Sequence, residues 1–257
     1  MEVLTPRSLD EALRLRADLP AALPIEGGTD VMVALNFDRV RPPALLNLNE
    51  VGEIRGWSRE NGALRLGAGL TYAEAERGEL AELLPALAEA ARTVGSPQIR
   101  ARGTIGGNLG TASPAGDAHP PLLIEDAAVV AASVRGEREI PIGEFFTGVK
   151  RNALAPDELI VAVRVRPSGA PQTFMKIGPR NAMVIAVCSL AVSVEGGEGC
   201  AAFGSAAPTP RVVRAPLSDL PDAVVEAASP IDDVRGTAAY RRHALRVLTM
   251  RAIQRCA

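Results

Sequence analysis

The chain has 257 residues, of which 47% are hydrophobic and 23% charged, and its formal net charge at pH 7 is −2. These values are ordinary for a globular protein of about one or two domains. A nucleic-acid binder would normally carry a basic excess. No apolar run approaches the roughly 18 residues that cross a bilayer, and the N-terminus lacks the basic-then-apolar profile of a signal peptide. We therefore expect a cytoplasmic protein with no membrane insertion and no nucleic-acid partner.

The first fifty residues predict a parallel βαβ unit. A capping box begins a helix at Ser8, and a short buried strand follows over residues 21–26. The turn Gly27-Gly28 joins that strand to a helix beginning at Asp30, and a second strand spans residues 44–48. The economical arrangement of these pieces is a unit with a right-handed crossover.

The middle of the chain predicts a larger mixture of helices and strands. Alternating apolar residues indicate a half-buried strand at 64–68, and a capping box lies at Thr71 to Glu74. The remaining predicted elements are a helix over 80–94, a hairpin over 127–134 and 137–142, and a strand over 158–165.

A linker rich in turn formers at Pro167 to Pro171 separates this part from the rest. Three strand-like runs follow it, over 172–177, 183–194 and 200–206, and the tail from about residue 222 is helical. Leu245, Leu248 and Ala252 share one face of the last helix, and its arginines predict a solvated face or a docking face for an acidic partner. We therefore expect two α+β domains that divide near residue 167.

Two glycine pairs carry the clearest chemical signal. One lies at Thr104-Ile105-Gly106-Gly107-Asn108 and the other at Glu26-Gly27-Gly28-Thr29-Asp30. Backbone N–H groups without a neighbouring Cβ can point at phosphate oxygens. Each pair is followed by a polar residue, which suggests two lobes that grip one diphosphate. Neither pair matches GxGxxG or GxxxxGK[ST], so neither a Rossmann dinucleotide site nor a P-loop is indicated.

Other candidate residues allow two interpretations each. Asp117 is either a loop residue or an acceptor for sugar or ribityl hydroxyls. Lys176 is either solvated or directed at a ligand beside Phe174, with which it shares a strand face. We expect His119 to be a turn or surface residue. The three cysteines are too far apart for a metal or iron–sulfur site.

These motifs resemble the FAD-binding medium subunit of the molybdenum hydroxylases, the family of xanthine dehydrogenase and carbon monoxide dehydrogenase. The most specific match runs from Arg102 through Leu109 to Ser113, Pro114 and Asp117. Further matching segments occur in the family's order: Gly27–Asp30, Leu46–Asn49, Leu66–Thr71, Phe174–Arg180, Phe203–Arg211 and Asp233–Arg242.

The resemblance implies a fold of class α+β. Residues 1–167 would form a two-lobed FAD-binding domain of the vanillyl-alcohol oxidase and p-cresol methylhydroxylase type, with lobes at about 1–53 and 54–167. Residues 168–257 would form a smaller α+β domain with an antiparallel sheet and C-terminal helices, as in the carbon monoxide dehydrogenase flavoprotein.

The resemblance also implies the residues that bind FAD. Backbone groups around Gly27–Thr29 and Gly106–Asn108 would hold the pyrophosphate. Thr111, Ser113 and Asp117 would meet ribityl, ribose or phosphate oxygens. The flavin side would be lined by Ile160 and Lys176, and Phe174 would take the place of a tyrosine that packs on the isoalloxazine in some members. The complete expected set comprises Ile25, Glu26, Gly27, Gly28, Thr29, Asp30, Val31, Thr104, Ile105, Gly106, Gly107, Asn108, Thr111, Ser113, Asp117, Ile160, Phe174 and Lys176, with no catalytic side chain and no metal.

The implied activity is electron transfer within a multi-subunit oxidoreductase. An iron–sulfur subunit and a molybdopterin subunit would be separate chains, and NAD⁺ is one candidate electron acceptor. Two alternatives remain: a stand-alone flavin reductase of the same fold, and a nucleotide-binding module that has lost FAD.

Two departures from the family pattern bear on these expectations. Glu26 stands where the family often has a small residue, so that its carboxylate either points away from the diphosphate or weakens FAD binding. No cysteine cluster is inserted, unlike in the 4-hydroxybenzoyl-CoA reductase branch, whose flavin subunit carries an extra iron–sulfur cluster.

Overall fold

The N-terminal part of the chain forms a small parallel sheet. The computed structural model describes residues 1–257 throughout. Strands β1 (Glu2–Leu4), β2 (Leu23–Ile25) and β3 (Ala44–Asn47) pair in the order β1-β3-β2, and both pairings are parallel. Helices α1 (Leu9–Asp18) and α2 (Val31–Asn36) connect them. The expected βαβ unit is therefore present.

The middle of the chain is built on an antiparallel sheet with helices packed against it. The sheet has five strands in the order β4-β5-β10-β6-β7. In chain order the elements are β4 (Trp57–Glu60), β5 (Ala63–Gly67), α3 (Tyr72–Ala75), α4 (Gly78–Leu83), α5 (Pro85–Thr93), α6 (Pro97–Arg100), α7 (Ile105–Thr111), α8 (His119–Ile124), β6 (Ala128–Ser133), β7 (Gly136–Pro141), α9 (Ile142–Phe145), a small pair β8 (Phe146–Gly148) and β9 (Arg151–Asn152), and β10 (Leu159–Val165).

The C-terminal part is a four-stranded antiparallel sheet covered by two helices. Strands β11 (Gln172–Ile177), β12 (Cys188–Glu195), β13 (Glu198–Gly204) and β14 (Arg211–Pro216) pair in that order. They are followed by α10 (Leu220–Ala227) and α11 (Ala238–Cys256). No helix of the structure is long and apolar enough to cross a membrane.

Two apolar cores follow this arrangement. The larger, of 44 buried residues, fills the parallel-sheet part and the five-stranded part together. The smaller, of 14 buried residues, lies between the four-stranded sheet and helices α10 and α11. It includes Leu245, Leu248 and Ala252, so the apolar face of the last helix is as predicted. The antiparallel sheet with C-terminal helices agrees with the expected fold class.

Several predicted elements need correction. The helix expected over 80–94 is two helices, because Pro85 occupies the first turn of α5 and the preceding Leu84 lies outside the helical region, with φ −132° and ψ 65°. The strand expected from residue 183 begins only at Cys188. Strands β4 and β14 were not predicted; both lie at sheet edges and carry mostly polar or exposed side chains.

Arg241 also departs from its expected solvated position. Its side chain is 1% exposed and donates to the carbonyl oxygens of Val187 and Ser205 and to Asp233 at 2.6 Å. It therefore satisfies carbonyl groups between the sheet and α11 rather than presenting charge to a partner.

A partly buried carboxylate helps to join the C-terminal sheet to the middle part. Glu89 on α5 accepts hydrogen bonds from the backbone N–H and the hydroxyl at the start of β11, at Phe174 and Thr173, both at 2.7 Å. Its other oxygen accepts from Arg255 at 2.7 Å. The bond to Phe174 fixes β11 against α5.

Helix α11 provides a direct test of the smaller core. Leu245→Ala should lower the free energy of unfolding by about 2–5 kcal/mol, since it removes a fully buried side chain and leaves a cavity. Met250→Ala on the same helix should have little effect, because Met250 is 51% exposed. Urea unfolding followed by circular dichroism measures both, and equal losses would contradict the packing described.

Candidate functional site

A large cavity opens between the parallel-sheet lobe and the five-stranded lobe. Its volume is about 830 Å³, and 40 residues line it. The lining comes from β2 and the turn after it, from α7 and the loop that follows, and from the start of β10. A cavity between lobes with this volume lies in the upper range for small-molecule and cofactor sites.

The first wall is the segment Ile25 to Val31. Gly27 lies so close to the other lobe that a Cβ on it would be 2.0 Å from the carbonyl oxygen of Arg102. Asn49 donates to the Glu26 carbonyl at 2.8 Å, and Arg102 donates to the Asn49 side chain at 2.7 Å. Only glycine permits this approach, which brings the first glycine pair next to the second lobe.

The second wall is helix α7, and here the sequence expectation changes. Gly106 and Gly107 are not a loop turn but lie in the first turn of α7, whose N-cap Thr104 accepts from the Gly107 N–H at 3.0 Å. A Cβ on Gly106 would meet Ala68 at 2.6 Å, so the glycine lets α7 pack directly on the end of β5. The backbone at Gly107 and Asn108 faces the cavity as a result.

A hydrogen bond closes the two walls on each other. The Thr111 hydroxyl donates to Asp30 at 2.9 Å, across the gap between α7 and the first lobe. Both residues line the cavity. The two glycine pairs therefore meet at one site, as expected from two lobes that grip one ligand.

Five residues that line the cavity each have a buried polar atom without a hydrogen-bond partner. These atoms are Arg16 Nε, Glu26 Oε2, Tyr72 Oη, Asn108 Oδ1 and Asp117 Oδ1. Buried polar groups are normally paired, because an unpaired one costs about 1–3 kcal/mol. Their concentration at one cavity indicates a polar ligand rich in donors and acceptors.

Asp117 is held by an ion pair. Lys176 Nζ lies 2.6 Å from Asp117 Oδ2 and also donates to the Thr93 carbonyl at 3.3 Å. Burial raises the pKa of the Asp117 carboxyl, and the Lys176 ammonium opposes that shift. Asp117 Oδ1 is buried without a hydrogen-bond partner, and Lys176, unlike Asp117, does not line the cavity.

His119 is not the turn or surface residue expected. It is fully buried in α8, and its Nε2 lies 3.2 Å from the Asn108 carbonyl oxygen. Burial lowers its pKa to about 4, so the imidazole is neutral near pH 7. The ring packs on Gly116 and stacks on Phe146 at a centroid distance of 4.5 Å, which fixes the loop that carries Asp117.

The structure brings together nearly all of the residues expected to bind a cofactor. Every one lines the cavity except Ile105, Phe174 and Lys176. Ile105, the first residue of α7, is fully buried, and Phe174 is 4% exposed within the larger core.

Other lining residues were not expected. They include Tyr72, Ser96, Asn152, Glu158 and the segment Met183–Ile185. Tyr72 was accessible to sequence reasoning, because a chain with 3% aromatic residues makes each one conspicuous.

Comparison with known proteins identifies this architecture. The family model "FAD binding domain in molybdopterin dehydrogenase" matches residues 1–167. This chain belongs to that family. FAD is accordingly its cofactor, and the unpartnered polar atoms and the glycine-lined walls of the cavity fit such a ligand.

Individual relatives agree with this assignment. The xanthine dehydrogenase FAD-binding subunit of Escherichia coli is 31% identical over 269 residues, which cover 96% of this chain and 92% of the relative. The nicotinate dehydrogenase FAD-subunit of Eubacterium barkeri is 36% identical over 210 residues, 77% of this chain and 71% of the relative.

Solved structures confirm the fold of this family member. Carbon monoxide dehydrogenase from Hydrogenophaga pseudoflava superposes with a TM-score of 0.90 at 27% identity, covering 100% of this chain and 98% of that one. A Cu,Mo-CO dehydrogenase superposes with a TM-score of 0.93 at 24% identity, covering 100% and 97%. The expected fold, with its two-lobed FAD-binding domain and smaller α+β part, is therefore confirmed.

The approach of Gly27 to Arg102 predicts a sharp response to one added methyl group. Gly27→Ala should lower the free energy of unfolding by about 1–3 kcal/mol and weaken FAD binding, because the lobes must separate. Gly52→Ala in the same lobe is the control, since a Cβ there meets nothing within 4 Å. Thermal unfolding with and without FAD measures both; unchanged behaviour of Gly27→Ala would contradict the close approach.

The pair between Lys176 and Asp117 predicts a strong, pH-dependent loss of stability. Lys176→Met should cost about 3 kcal/mol near neutral pH, because it leaves a carboxylate buried without its counter-charge. In this variant the folded pKa of Asp117 rises further above its unfolded value. The variant therefore keeps its stability at pH values below the pKa that Asp117 has in the unfolded chain. It loses stability as the pH rises through the pKa that Asp117 has in the folded variant.

A second substitution isolates this charge effect. Asp117→Asn removes the buried charge, so the double variant with Lys176→Met should recover much of the lost stability. Urea unfolding at several pH values measures the series. A double variant no more stable than Lys176→Met alone would show that lost packing, not charge, explains the effect.

Proposed function

We propose that this chain is the electron-transfer subunit of a multi-subunit molybdenum hydroxylase. It holds FAD between the iron–sulfur clusters of a partner subunit and an acceptor, for which NAD⁺ is one candidate, and a molybdopterin subunit oxidises the substrate. The observation that supports this most is the cavity where Gly27, Gly107 and five residues with unpartnered polar atoms converge from both lobes.

Bound FAD supplies the redox chemistry, and the residues of the chain supply binding and orientation. We propose that backbone groups of Gly27–Thr29 and Gly106–Asn108 hold the diphosphate. The side chains of Asp117, Thr111 and Ser113 form hydrogen bonds with sugar or ribityl hydroxyls. Lys176 favours the ionised form of the Asp117 carboxyl and holds it in place. Ile160 lines the flavin side, together with the segment Met183–Ile185.

The two parts of the chain have different roles in FAD binding. Residues 1–167 bind the cofactor in two lobes at about 1–53 and 54–167, and residues 168–257 form the second domain. The second domain contributes Lys176 behind Asp117 and Met183–Ile185 to the cavity wall. The cofactor-binding domain is thus completed by side chains from beyond its own end.

Reconstitution tests the proposal directly. The purified chain incubated with FAD should show a flavin spectrum that dithionite bleaches and that air restores. A tagged chain expressed with its neighbouring coding regions should co-purify with an iron–sulfur protein. Substrate turnover by the isolated chain would instead support a stand-alone flavin reductase.

Asn108 offers a side-chain test of FAD binding. Asn108→Ala should weaken FAD binding by about 2–10-fold, because the variant lacks Asn108 Oδ1. This buried atom has no partner within the protein and would accept a hydrogen bond from FAD. Gln98→Ala is the control, as Gln98 is exposed and does not line the cavity. Fluorescence titration of the FAD-free chain measures both, and equal dissociation constants would contradict a role for the Asn108 amide.

A further inference from the structure

Four carboxylates line the cofactor cavity, and three of them accept a hydrogen bond of 2.9 Å or shorter. Asp117 has Lys176 at 2.6 Å, and Asp30 accepts from Thr111 at 2.9 Å. Glu158 accepts two bonds from the Arg138 guanidinium at 2.6 and 2.8 Å, which lowers its pKa. The fourth, Glu26, is the exception.

Glu26 lies at the lobe junction with incomplete compensation. Its side chain is 11% exposed, and its nearest cation is Arg55 Nη2, 3.4 Å from Oε1. Its Oε2 is buried and has no partner. Arg55 is itself 45% exposed, so water screens much of its charge.

Three charged groups and one hydroxyl act on the Glu26 carboxyl. Arg55 and Arg102 favour the carboxylate, as does the hydroxyl of Thr104, whereas Glu74 opposes it. Burial outweighs these contributions and raises the pKa of the Glu26 carboxyl above its usual value. The charged form is already disfavoured before any ligand adds negative charge.

Glu26 is the residue immediately before Gly27, and the two glycine walls meet around it. A diphosphate held by Gly27 and Gly107 carries negative charge and raises the pKa of any carboxyl beside it. A neutral carboxyl can instead donate a hydrogen bond to an anionic oxygen. The unpartnered Oε2 is the atom available for that bond.

We propose that Glu26 couples cofactor retention to protons: its carboxyl is neutral when FAD is bound, and the chain takes up a proton as it binds FAD. FAD binds tightly below the pH at which Glu26 ionises in the free chain. Affinity then falls as the pH rises towards the higher pKa of the complex, above which it is constant. The inference rests on FAD binding at this cavity and adds a pH dependence to it.

The test is the dissociation constant of FAD and the number of protons taken up, measured by isothermal titration calorimetry on the FAD-free full-length chain. The range of about pH 5.5 to 8.5 lies above the pKa of Glu158, which its ion pair with Arg138 lowers. Buffers with different ionisation enthalpies give the proton count. The wild-type dissociation constant should rise by about tenfold for each unit by which FAD raises the Glu26 pKa.

Glu26→Gln keeps the shape of the side chain and removes its charge. This variant should bind FAD with a flat pH profile, match wild type at the acid end and bind about tenfold more tightly at the alkaline end for a one-unit pKa difference. Its proton uptake should vanish. Glu50→Gln is the matched control, since Glu50 is exposed in the same lobe, and it should keep the wild-type profile.

Two results would overturn the proposal. One is a wild-type profile without pH dependence or proton uptake; the other is a Glu26→Gln variant that retains the wild-type slope or binds more weakly throughout. Loss of FAD binding in every variant at every pH, with circular dichroism showing a folded chain, would instead contradict the proposed function itself.

Discussion

The cofactor cavity depends on one close approach between two lobes. Gly27 has no room for a side chain, since the Arg102 carbonyl occupies the position a Cβ would take. Around that contact, Arg102 bonds to Asn49 and Thr111 bonds to Asp30 across the same junction. The parallel sheet and the five-stranded sheet have separate strand pairings, yet they share one apolar core. The site is therefore a property of their junction, and neither lobe forms it alone.

Much of this junction could be predicted from the sequence, because the signals were local. Each glycine pair precedes a polar residue, and the capping box at Thr71 forms as its spacing indicates. The surrounding segments also matched a family in order. Local patterns of this kind specify backbone conformation, and here the conformation places most of the residues expected to bind FAD along one cavity.

The side-chain positions that the sequence did not predict depend mostly on contacts between residues that are far apart in the chain. The buried position of His119 results from packing against Gly116 and Phe146. From the sequence, Arg241 was one of several arginines on the last helix expected to be solvated. Its guanidinium instead donates to the carbonyl oxygens of Val187, just before β12, and Ser205, just after β13. Phe174 shares a strand face with Lys176, as alternation requires, yet α5 covers it and keeps it out of the cavity. Apart from Gly116, these partners lie far away in the sequence.

The distribution of charge explains how an acidic chain can hold an anionic cofactor. Cavity carboxylates that are matched by a fixed cation, such as Asp117 and Glu158, remain as oriented acceptors for hydroxyl groups. Positive charge behind such an acceptor stabilises it without occupying the ligand's place. A carboxylate whose cation is more distant, as at Glu26 with Arg55 at 3.4 Å, instead loses its charge when a diphosphate arrives. Close ion pairs thus separate carboxyl groups that orient the cofactor from the one that responds to its charge.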